Sequence, residues 1–230
     1  MIADNPHEPP APPAPLRVLV LFYSFSGQSG GLVQRLIAGL REEGIEVRSE
    51  RLQPAIPLRF PVGTIPRTIR MMITTLFRQR VVILQPETPS PDDYELVILA
   101  GPTWSFNPSG PVLALLDQYP NLLRGKPVLA LISCRGYWRR HWCYLQGRLR
   151  QIGAQPLGPL VFDHPQAEPW RTIGVFLKIA GTAPERSPLI GRVYRRFGHN
   201  REQFDEAGRL GHTLGQSLQQ GAIPNLIRLP

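Results

Sequence analysis

The sequence predicts an α/β protein, a three-layer αβα sandwich built on a five-stranded parallel sheet. Two observations predict this fold. Short apolar runs of strand length alternate along the chain with amphipathic segments of helical spacing. Loops rich in glycine, serine or aromatic residues follow the first, third and fourth of these runs. Strands that alternate with helices in this way form parallel sheets that are covered by helices on both faces.

The first βαβ unit is predicted over residues 17–52. Residues 17–23 (RVLVLFY) are β-branched or aromatic, and the run has the length of a buried strand. After a polar loop, apolar residues recur at helical spacing over residues 32–40, and Gly44 is a typical position for that helix to end. Residues 45–52 predict the second strand. The connection between two such strands is expected to be right-handed.

Three further strands are predicted at residues 95–100, 127–133 and 157–162, where short apolar runs recur. We expect the five strands to take the spatial order 2-1-3-4-5. In that order, the carboxyl ends of strands one, three and four surround a single crevice, which is where α/β sheets bind their ligands.

The helices of the second half are predicted from their end signals. Ser109 and Pro111 suit the N-cap and the first turn of the helix that follows the third strand. Asn200 and Gln203 have the spacing of a capping box at the start of the last helix. Gly221 then suits the end of that helix.

The domain organisation is predicted to be simple. Residues 1–15 are a Pro-rich leader that we expect to be disordered, residues 16–222 form one domain, and residues 223–230 are a tail. Two stretches exceed a minimal five-stranded unit, and we call residues 53–86 the first insert and residues 163–199 the second insert.

Composition restricts the partners. The net charge of +9 favours anionic partners, but no helix-turn-helix, zinc-finger or RNA-binding pattern is present, so we expect no nucleic-acid partner. Cys134 and Cys143 have no accompanying set of ligands, so no metal site is predicted. Unpaired cysteines and the lack of a signal peptide favour a cytoplasmic location. No apolar run approaches the roughly 20 residues that a membrane span requires.

The loop after the first strand predicts a phosphate site. Free backbone N–H groups and the positive end of a helix dipole would face an anion that is bound between this strand and its helix. The pattern is neither that of an NTPase phosphate loop nor that of a dinucleotide-binding turn. An ordinary polar turn with a serine cap is the alternative. The candidate residues are Ser24, Ser26, Gly27, Gln28 and Ser29.

Two aromatic-bearing loops follow the third and fourth strands. A flat ring bound between these loops would gain from stacking and from removal of water. Alternatively, Trp104 and Trp138 only anchor their loops in the core. The candidate ring-binding residues are Pro102, Thr103, Trp104, Ser105 and Phe106 on one loop, and Cys134, Arg135, Gly136 and Trp138 on the other.

The motifs of these three loops resemble those of a known protein family. The segment SFSGQSG resembles the FMN phosphate loop of flavodoxins, and the segments ELVILAGPTWSFNPSGPVLALLDQ and GKPVLALISCRGYW are similar to their ring-binding loops. More narrowly, residues 17–221 resemble flavodoxin-like proteins labelled dialkylresorcinol condensing enzyme. The resemblance implies FMN as the cofactor, held by the residues named above. Unlike flavodoxins, which have acidic surfaces, this chain is basic and carries long inserts, which argues against a simple one-electron shuttle.

The first insert is both basic and apolar. Residues 51–86 contain no Asp or Glu, and an apolar helical face over residues 69–77 has four arginines beside it. Three interpretations remain open. The insert packs its apolar face onto the domain as a lid over a lipophilic pocket, or it lies on an anionic membrane, or it is a structural excursion. The second insert has a similar character, and the two could pack together.

The functional hypothesis is an FMN oxidoreductase in which NADH or NADPH supplies hydride for two-electron reduction of a lipophilic quinone-like molecule or aromatic precursor. Arg135 is the candidate for stabilising negative charge on the reduced ring, and Tyr137 is a candidate proton donor. A flavin-free binding or scaffolding protein, at a membrane or in a biosynthetic assembly, is the alternative. A homodimer is also expected to be possible for such a fold.

Overall fold

The computed structural model describes residues 15–88, 90–188 and 190–222. It therefore does not bear on the predicted leader, apart from residue 15, or on the predicted tail. The six strands are β1 (Arg17–Phe22), β2 (Glu46–Arg51), β3 (Leu96–Trp104), β4 (Asn107–Pro108), β5 (Pro127–Cys134) and β6 (Gln155–Asp163). The six α-helices are α1 (Gln28–Glu42), α2 (Ile65–Leu76), α3 (Gly110–Gln118), α4 (Trp138–Gln151), α5 (Trp170–Ile179) and α6 (Arg201–Gln219).

Five of the strands pair in parallel, in the order β2-β1-β3-β5-β6. The predicted fold class is confirmed, and the five parallel strands lie in the predicted order. The two-residue strand β4, which pairs antiparallel with the end of β3, was not predicted. It folds the chain back after Trp104, where Ser105 and Phe106 both have positive φ angles. This turn therefore has a tightly defined shape at the carboxyl edge of the sheet.

The sheet is buried on both faces. Alternate residues of β1 point to opposite sides, so that Leu19 and Leu21 join one core and Val18 and Val20 join the other. Helices α3 and α4 cover the first side, and helices α1 and α6 cover the second. This is the three-layer arrangement that the apolar runs predict.

The last helix begins as predicted. The amide of Gln203 donates to Oδ1 of Asn200, and the amide of Asn200 donates to Oε1 of Gln203, which completes the capping box. Ser109 is the N-cap residue of α3, also as predicted, but its side chain makes no capping hydrogen bond. The Ser109 hydroxyl is buried without a partner among the described residues.

Helices α1 and α6 touch through glycines. A Cβ atom placed on Gly39 would lie 2.2 Å from the carbonyl oxygen of Gly208, and one on Gly211 would lie 2.2 Å from that of Leu36. Backbone therefore meets backbone at this crossing, and no side chain fits between the helices. This contact fixes the position of α1, whose amino end follows the predicted phosphate loop.

The two inserts pack together over the carboxyl ends of the strands. The amide of Val62 donates to the carbonyl of Ile179 at 2.8 Å, and the rings of Phe60 and Phe197 stack with centroids 5.6 Å apart. This contact agrees with the expectation that the inserts meet. Helix α2 comes from the first insert and α5 from the second, so a joint cover forms beside the predicted crevice.

The orientation of α2 contradicts the hypothesis that its apolar face packs onto the domain. The buried residues of α2 are Thr68 and Thr75, whereas Ile69, Ile73 and Phe77 are exposed. The threonines can be buried because their hydroxyls donate to carbonyls of the same helix, to Thr64 from Thr68 and to Met71 from Thr75. We call Ile65, Ile69, Met72, Ile73, Leu76 and Phe77 the α2 apolar face. None of the helices in the described residues is long and apolar enough to cross a membrane.

Candidate functional site

A cleft opens at the carboxyl ends of β1, β3 and β5, beneath the two inserts. It contains about 130 Å³ of space that water can enter. The floor of the cleft is formed by the strand ends and the turns that follow them, and its walls are formed by α2 and α5. The sheet turns contribute Phe25, Ser26, Gln28, Pro102, Thr103, Trp104, Ser105, Ser133, Cys134 and Arg135. The inserts contribute Phe60, Thr68, Met71, Met72, Thr75, His164, Val175, Phe176, Ile179, Phe197, Gly198 and His199.

The turn between β1 and α1 offers several free amides. Gly27 adopts a positive φ of 85°, which only glycine adopts readily, and it is the N-cap of α1. The hydroxyl of Ser24 accepts the amide of Gly30 at 3.0 Å, and the guanidinium of Arg51 donates to the carbonyl of Ser24 at 2.8 Å. Among the described residues, no acceptor takes the amide N–H groups of the four-residue segment 26–29. The turn is thus a nest of unpaired donors at the positive end of a helix.

The side chain of Gln28 does not fill this nest. Its Oε1 accepts the amide of His199 at 2.9 Å, so the side chain extends toward the end of the second insert. Gly198 lies against it, and a Cβ atom at Gly198 would be 2.2 Å from the Gln28 side chain. The second insert therefore holds one residue of the turn in place and leaves the amides of the turn open.

The tryptophans of the two aromatic loops act mainly as anchors. Trp104 is buried and packs edge to face on Tyr23 and Phe25, with ring centroids 5.6 and 5.5 Å away, although its edge also reaches the cleft. Trp138 does not line the cleft, and the guanidinium of Arg139 lies over its ring. This arrangement is the anchoring alternative that the sequence left open.

Phe106 and Tyr137 are the aromatics that meet across the two loops. Their rings pack edge to face with centroids 5.3 Å apart, and both side chains are exposed. Each residue lies next to or near a cleft residue of its own loop, Ser105 or Arg135. The two turns therefore meet at their exposed rim.

Arg135 places a positive charge in the wall of the cleft. It is half-buried in the cleft wall, and burial lowers the pKa of its guanidinium. Among the described residues, no carboxylate lies within 4.0 Å of it. The neighbouring Arg171, by contrast, pairs with Glu168 at 3.0 Å and Asp163 at 3.6 Å. A desolvated and unpaired guanidinium favours binding of an anion or of a ring that becomes negative.

Cys134 lines the same wall but has the properties of a structural thiol. Burial raises the pKa of the Cys134 thiol to about 11, so the thiol stays protonated at neutral pH. The amide of Gly136 donates to its Sγ at 3.3 Å. Gly136 itself has a φ of 104° and packs against the guanidinium of Arg171. Both residues therefore shape the turn that carries Arg135.

A buried serine–histidine pair also lines the cleft. The Nε2 atom of His199 lies 2.8 Å from the hydroxyl of Ser133, and its Nδ1 lies 3.2 Å from Oε1 of Gln203. Because Nε2 of Gln203 donates to the carbonyl of Asp163, Oε1 of Gln203 is an acceptor and Nδ1 of His199 carries the proton. The Ser133 hydroxyl therefore donates to His199, and burial lowers the pKa of His199 and keeps it neutral.

Two other histidines in this region are also neutral. Burial lowers the pKa of His164 to about 4 and that of His141 to about 3. His164 accepts the amide of Gly198 at 2.9 Å, and His141 shares a hydrogen bond of 2.8 Å with the hydroxyl of Thr103. These histidines position the walls of the cleft. The described residues contain no group of three or more His, Cys, Asp or Glu side chains that could hold a metal ion.

Comparisons with known structures identify the fold family. Comparison with protein families and with curated sequences finds no match. A solved structure from Bacteroides eggerthii, provisionally assigned as a flavoprotein, superposes with a TM-score of 0.52 at 15% identity, covering 73% of this chain and 99% of that one. The chain has a flavodoxin-like fold.

A second solved structure with a TM-score above 0.5 agrees on the fold. A protein of Bacteroides uniformis with the same provisional assignment has a TM-score of 0.51 at 14% identity, covering 65% of this chain and 91% of that one. A flavoprotein of Lactobacillus acidophilus, solved in complex with FMN, has a TM-score of 0.49 at 16% identity, covering 64% and 93%. At 14–15% identity, the similarity to the two Bacteroides structures shows the fold and nothing further.

Within this flavodoxin-like fold, the structure brings most of the predicted site residues together. Ser26, Gln28, Pro102, Thr103, Trp104, Ser105, Cys134 and Arg135 line the cleft. The other predicted residues lie in the same turns or in the first turn of the helix that follows, and they do not line the cleft: Ser24, Gly27, Ser29, Phe106, Gly136, Tyr137 and Trp138. The sequence analysis missed the residues that the inserts add, above all His164 and His199. The Ser133–His199 hydrogen bond joins residues 66 positions apart, and no local pattern signals it.

Two features determine whether FMN fits. The open amides of residues 26–29 suit the phosphate of FMN, and the guanidinium of Arg135 in the cleft wall suits a ring that gains negative charge. The gap between Phe106 and Tyr137, by contrast, is too narrow for the flavin ring in this arrangement. Two aromatic rings that sandwich a third need about 7 Å between their planes, and Phe106 and Tyr137 are in direct contact. The residues present therefore fit FMN, provided that these two side chains separate.

Proposed function

We propose that this protein is an FMN-dependent oxidoreductase of the cytoplasm, which takes hydride from NADH or NADPH and reduces a lipophilic quinone-like molecule or aromatic precursor. The proposal rests on one observation. Ser26 and Gln28, from the segment 26–29 whose amides are unpaired among the described residues, line the same cleft as the guanidinium of Arg135, at the edge of the sheet where this fold binds ligands. One group suits a phosphate, and the other suits a ring that gains negative charge.

The residues of the cleft would have distinct tasks. The amides of residues 26–29 would hold the phosphate, and Phe106 and Tyr137 would flank the ring. Bound FMN would supply the two-electron hydride chemistry. The positive charge of Arg135 would stabilise negative charge on the reduced ring. Tyr137 stays the candidate proton donor, because its exposed side chain lies beside Phe106 at the edge of the cleft.

The wall opposite the sheet supports a lipophilic substrate. Met71 and Met72 from α2 and Val175, Phe176 and Ile179 from α5 turn apolar groups toward the cleft. Burying a ring against these side chains would remove apolar surface from water, at roughly 25 cal/mol per Å². The resemblance to proteins labelled dialkylresorcinol condensing enzyme suggests that the substrate is an alkylated aromatic ring or its precursor.

Flavin binding is tested with two ligands and two variants. We expect the purified protein to be yellow, or the colourless protein to bind added FMN tightly and riboflavin at least tenfold more weakly, because riboflavin lacks the phosphate. Ser26→Asp places a carboxylate at the nest and should weaken FMN binding at least tenfold without affecting riboflavin binding. Ser49→Asp, at an exposed position of β2, should change neither affinity. Failure to bind either flavin would favour the flavin-free binding protein.

Hydride transfer is tested separately. The flavin-loaded protein is mixed with NADH or with NADPH under anaerobic conditions, and the flavin absorbance is followed. We expect one of the two nicotinamides to bleach the flavin within seconds. A flavin that neither nicotinamide bleaches, but that a chemical reductant does, would point to an electron carrier and would remove the reductase activity from the proposal.

A further inference from the structure

Exposed hydrophobic side chains are concentrated in the first insert. Of the fifteen large hydrophobic side chains that are exposed in the described residues, ten lie between residues 56 and 84. Phe77 is 79% exposed and Ile73 is 52% exposed, and both belong to the α2 apolar face. Single exposed apolar residues are normal on a protein surface, but a contiguous face of this kind marks an interaction surface.

The exposure of this face follows from how α2 is held. Thr75 is buried, and its hydroxyl lies 2.8 Å from the hydroxyl of Ser105, which in turn donates to the carbonyl of Met72. Asn107 donates from its side-chain amide to the carbonyls of Thr75 and Leu76. The polar side of the helix is therefore bound to the turn after β3, and its apolar side is left facing outward.

The same insert carries uncompensated positive charge. Residues 51–86 contain no Asp or Glu. Arg59, Arg67 and Arg70 are exposed, and none of them forms a salt bridge with a carboxylate of the described residues. Arg80, in contrast, pairs with Asp117 at 2.7 Å. These three arginines line a second hollow, of about 530 Å³, which shares Met71 and Thr75 with the cleft.

We propose that the α2 apolar face and these three arginines bind the surface of an anionic lipid bilayer, with α2 lying in the plane of the interface. Arg70 lies one turn before Ile73 on the helix, so a guanidinium borders the apolar side chains. Apolar side chains that enter the acyl region beside arginines that reach the headgroups are the composition of interfacial helices. Each arginine near an anionic surface strengthens binding by roughly fivefold.

A second copy of this chain is the less favourable occupant. In a two-fold symmetric contact the same surface of each copy faces the other, so the α2 apolar face would bring two sets of unpaired arginines together. No acidic residue of the insert could compensate them. Anionic headgroups provide the missing charge, and the lipid acyl chains provide the missing apolar partner.

The position of Met72 connects this surface to the cleft. Met72 is 38% exposed on the α2 apolar face, and it also lines the cleft beneath the inserts. If the cleft binds a lipophilic substrate, an assumption that rests on the proposed function, the substrate would pass from the bilayer into the cleft along this side chain. The bilayer contact itself does not depend on the flavin.

The test is co-sedimentation of the full chain with vesicles of phosphatidylcholine alone and of equimolar phosphatidylcholine and phosphatidylglycerol. We expect at least tenfold tighter binding to the anionic vesicles. Arg67→Glu with Arg70→Glu should weaken that binding about tenfold or more. The matched control is Arg201→Glu with Arg209→Glu on α6, which changes the net charge equally and should keep most of the binding. Ile69→Asp with Ile73→Asp should also abolish binding, and circular dichroism should show that each variant is folded.

Several outcomes would overturn the proposal. These are absence of binding to both kinds of vesicle, an equal loss in both arginine pairs, or release from vesicles by inorganic phosphate but not by chloride at equal ionic strength. A dimer in light scattering that Ile69→Asp with Ile73→Asp converts to a monomer would assign the surface to a second copy. Because Ser26→Asp should leave vesicle binding unchanged, failure of flavin binding and failure of bilayer binding can be told apart.

Discussion

Phe106 and Tyr137 touch edge to face across the two turns that border the cleft, with ring centroids 5.3 Å apart and ring planes at 74°. The pair joins the turn after β3 to the turn after β5 at its exposed rim. A planar cofactor can lie between the two rings only after this contact breaks.

The first prediction concerns the rate of FMN association. An aromatic pair contributes roughly 0.5–1.5 kcal/mol beyond its buried area, so Phe106→Ala should raise the association rate constant roughly two- to tenfold. Tyr137→Phe retains the contact and should leave the rate unchanged. Stopped-flow quenching of flavin fluorescence measures both rates. Slower association of the Phe106→Ala protein would show that the pair forms part of the binding surface already.

The second prediction concerns the reduction potential of the bound flavin. Arg135 has no carboxylate partner among the described residues, so its charge is free to stabilise the negative reduced ring. Arg135→Gln should lower the two-electron midpoint potential by about 30–60 mV, which corresponds to roughly 1.4–2.8 kcal/mol. Arg135→Lys should recover most of this loss. Anaerobic titration against redox dyes measures the potential, and an unchanged value for Arg135→Gln would place the guanidinium away from the ring.

The third prediction concerns stability at acid pH. Burial lowers the pKa of His141 from 6.5 to about 3, so the unfolded chain binds a proton at this histidine that the folded protein does not. The corresponding stability is present above pH 6.5 and is lost as the pH falls toward 3. About 2 kcal/mol should be gone by about pH 5.

This pH dependence of stability is tested by measuring the urea midpoint of unfolding at several pH values between 7.5 and 5. His141→Gln should reduce the loss of stability with acid, while His164 and His199, whose pKa values burial also lowers, maintain part of the slope. His212 is the control, because the Glu43 carboxylate raises its pKa and it favours the folded state at low pH instead. An unchanged slope in His141→Gln would mean that this histidine already carries its proton in the fold.

The fourth prediction concerns the glycine contact between α1 and α6. Gly39→Ala places a methyl group 2.2 Å from the carbonyl oxygen of Gly208, and the helices must separate to admit it. We expect a loss of about 2–3 kcal/mol in the free energy of unfolding. Gly147→Ala on α4 is the control, because no atom lies within 4 Å of its added Cβ. That variant should be stabilised by about 0.5–1 kcal/mol, since alanine favours helix. Equal stabilities in urea would contradict the close contact.

The elements that local patterns control were predictable from the sequence. Apolar runs of strand length marked the five parallel strands, and the capping box of Asn200 and Gln203 marked the start of α6. The turn after β1 was also predictable, since glycine and serine between a strand and a helix leave amides unpaired. In each case the signal lies within a few adjacent residues.

The elements that depend on distant partners were not predictable in the same way. The period of α2 showed that its faces differ, but not that Thr68 and Thr75 would turn inward, because the docked side is held by Ser105 and Asn107 of the turn after β3. The contact of Phe106 with Tyr137 and that of Ser133 with His199 join separate turns. Only the folded sheet brings these residues together.

The threonine side of α2 has a consequence for local stability. Because its two buried residues are threonines, the helix gains little from the hydrophobic effect when it docks. Segments with few buried apolar groups open at a free energy far below that of global unfolding. Amide protons of residues 65–76 should therefore exchange with deuterium well before those of β1 and β3, so that the cover of the cleft can open while the sheet beneath it stays intact.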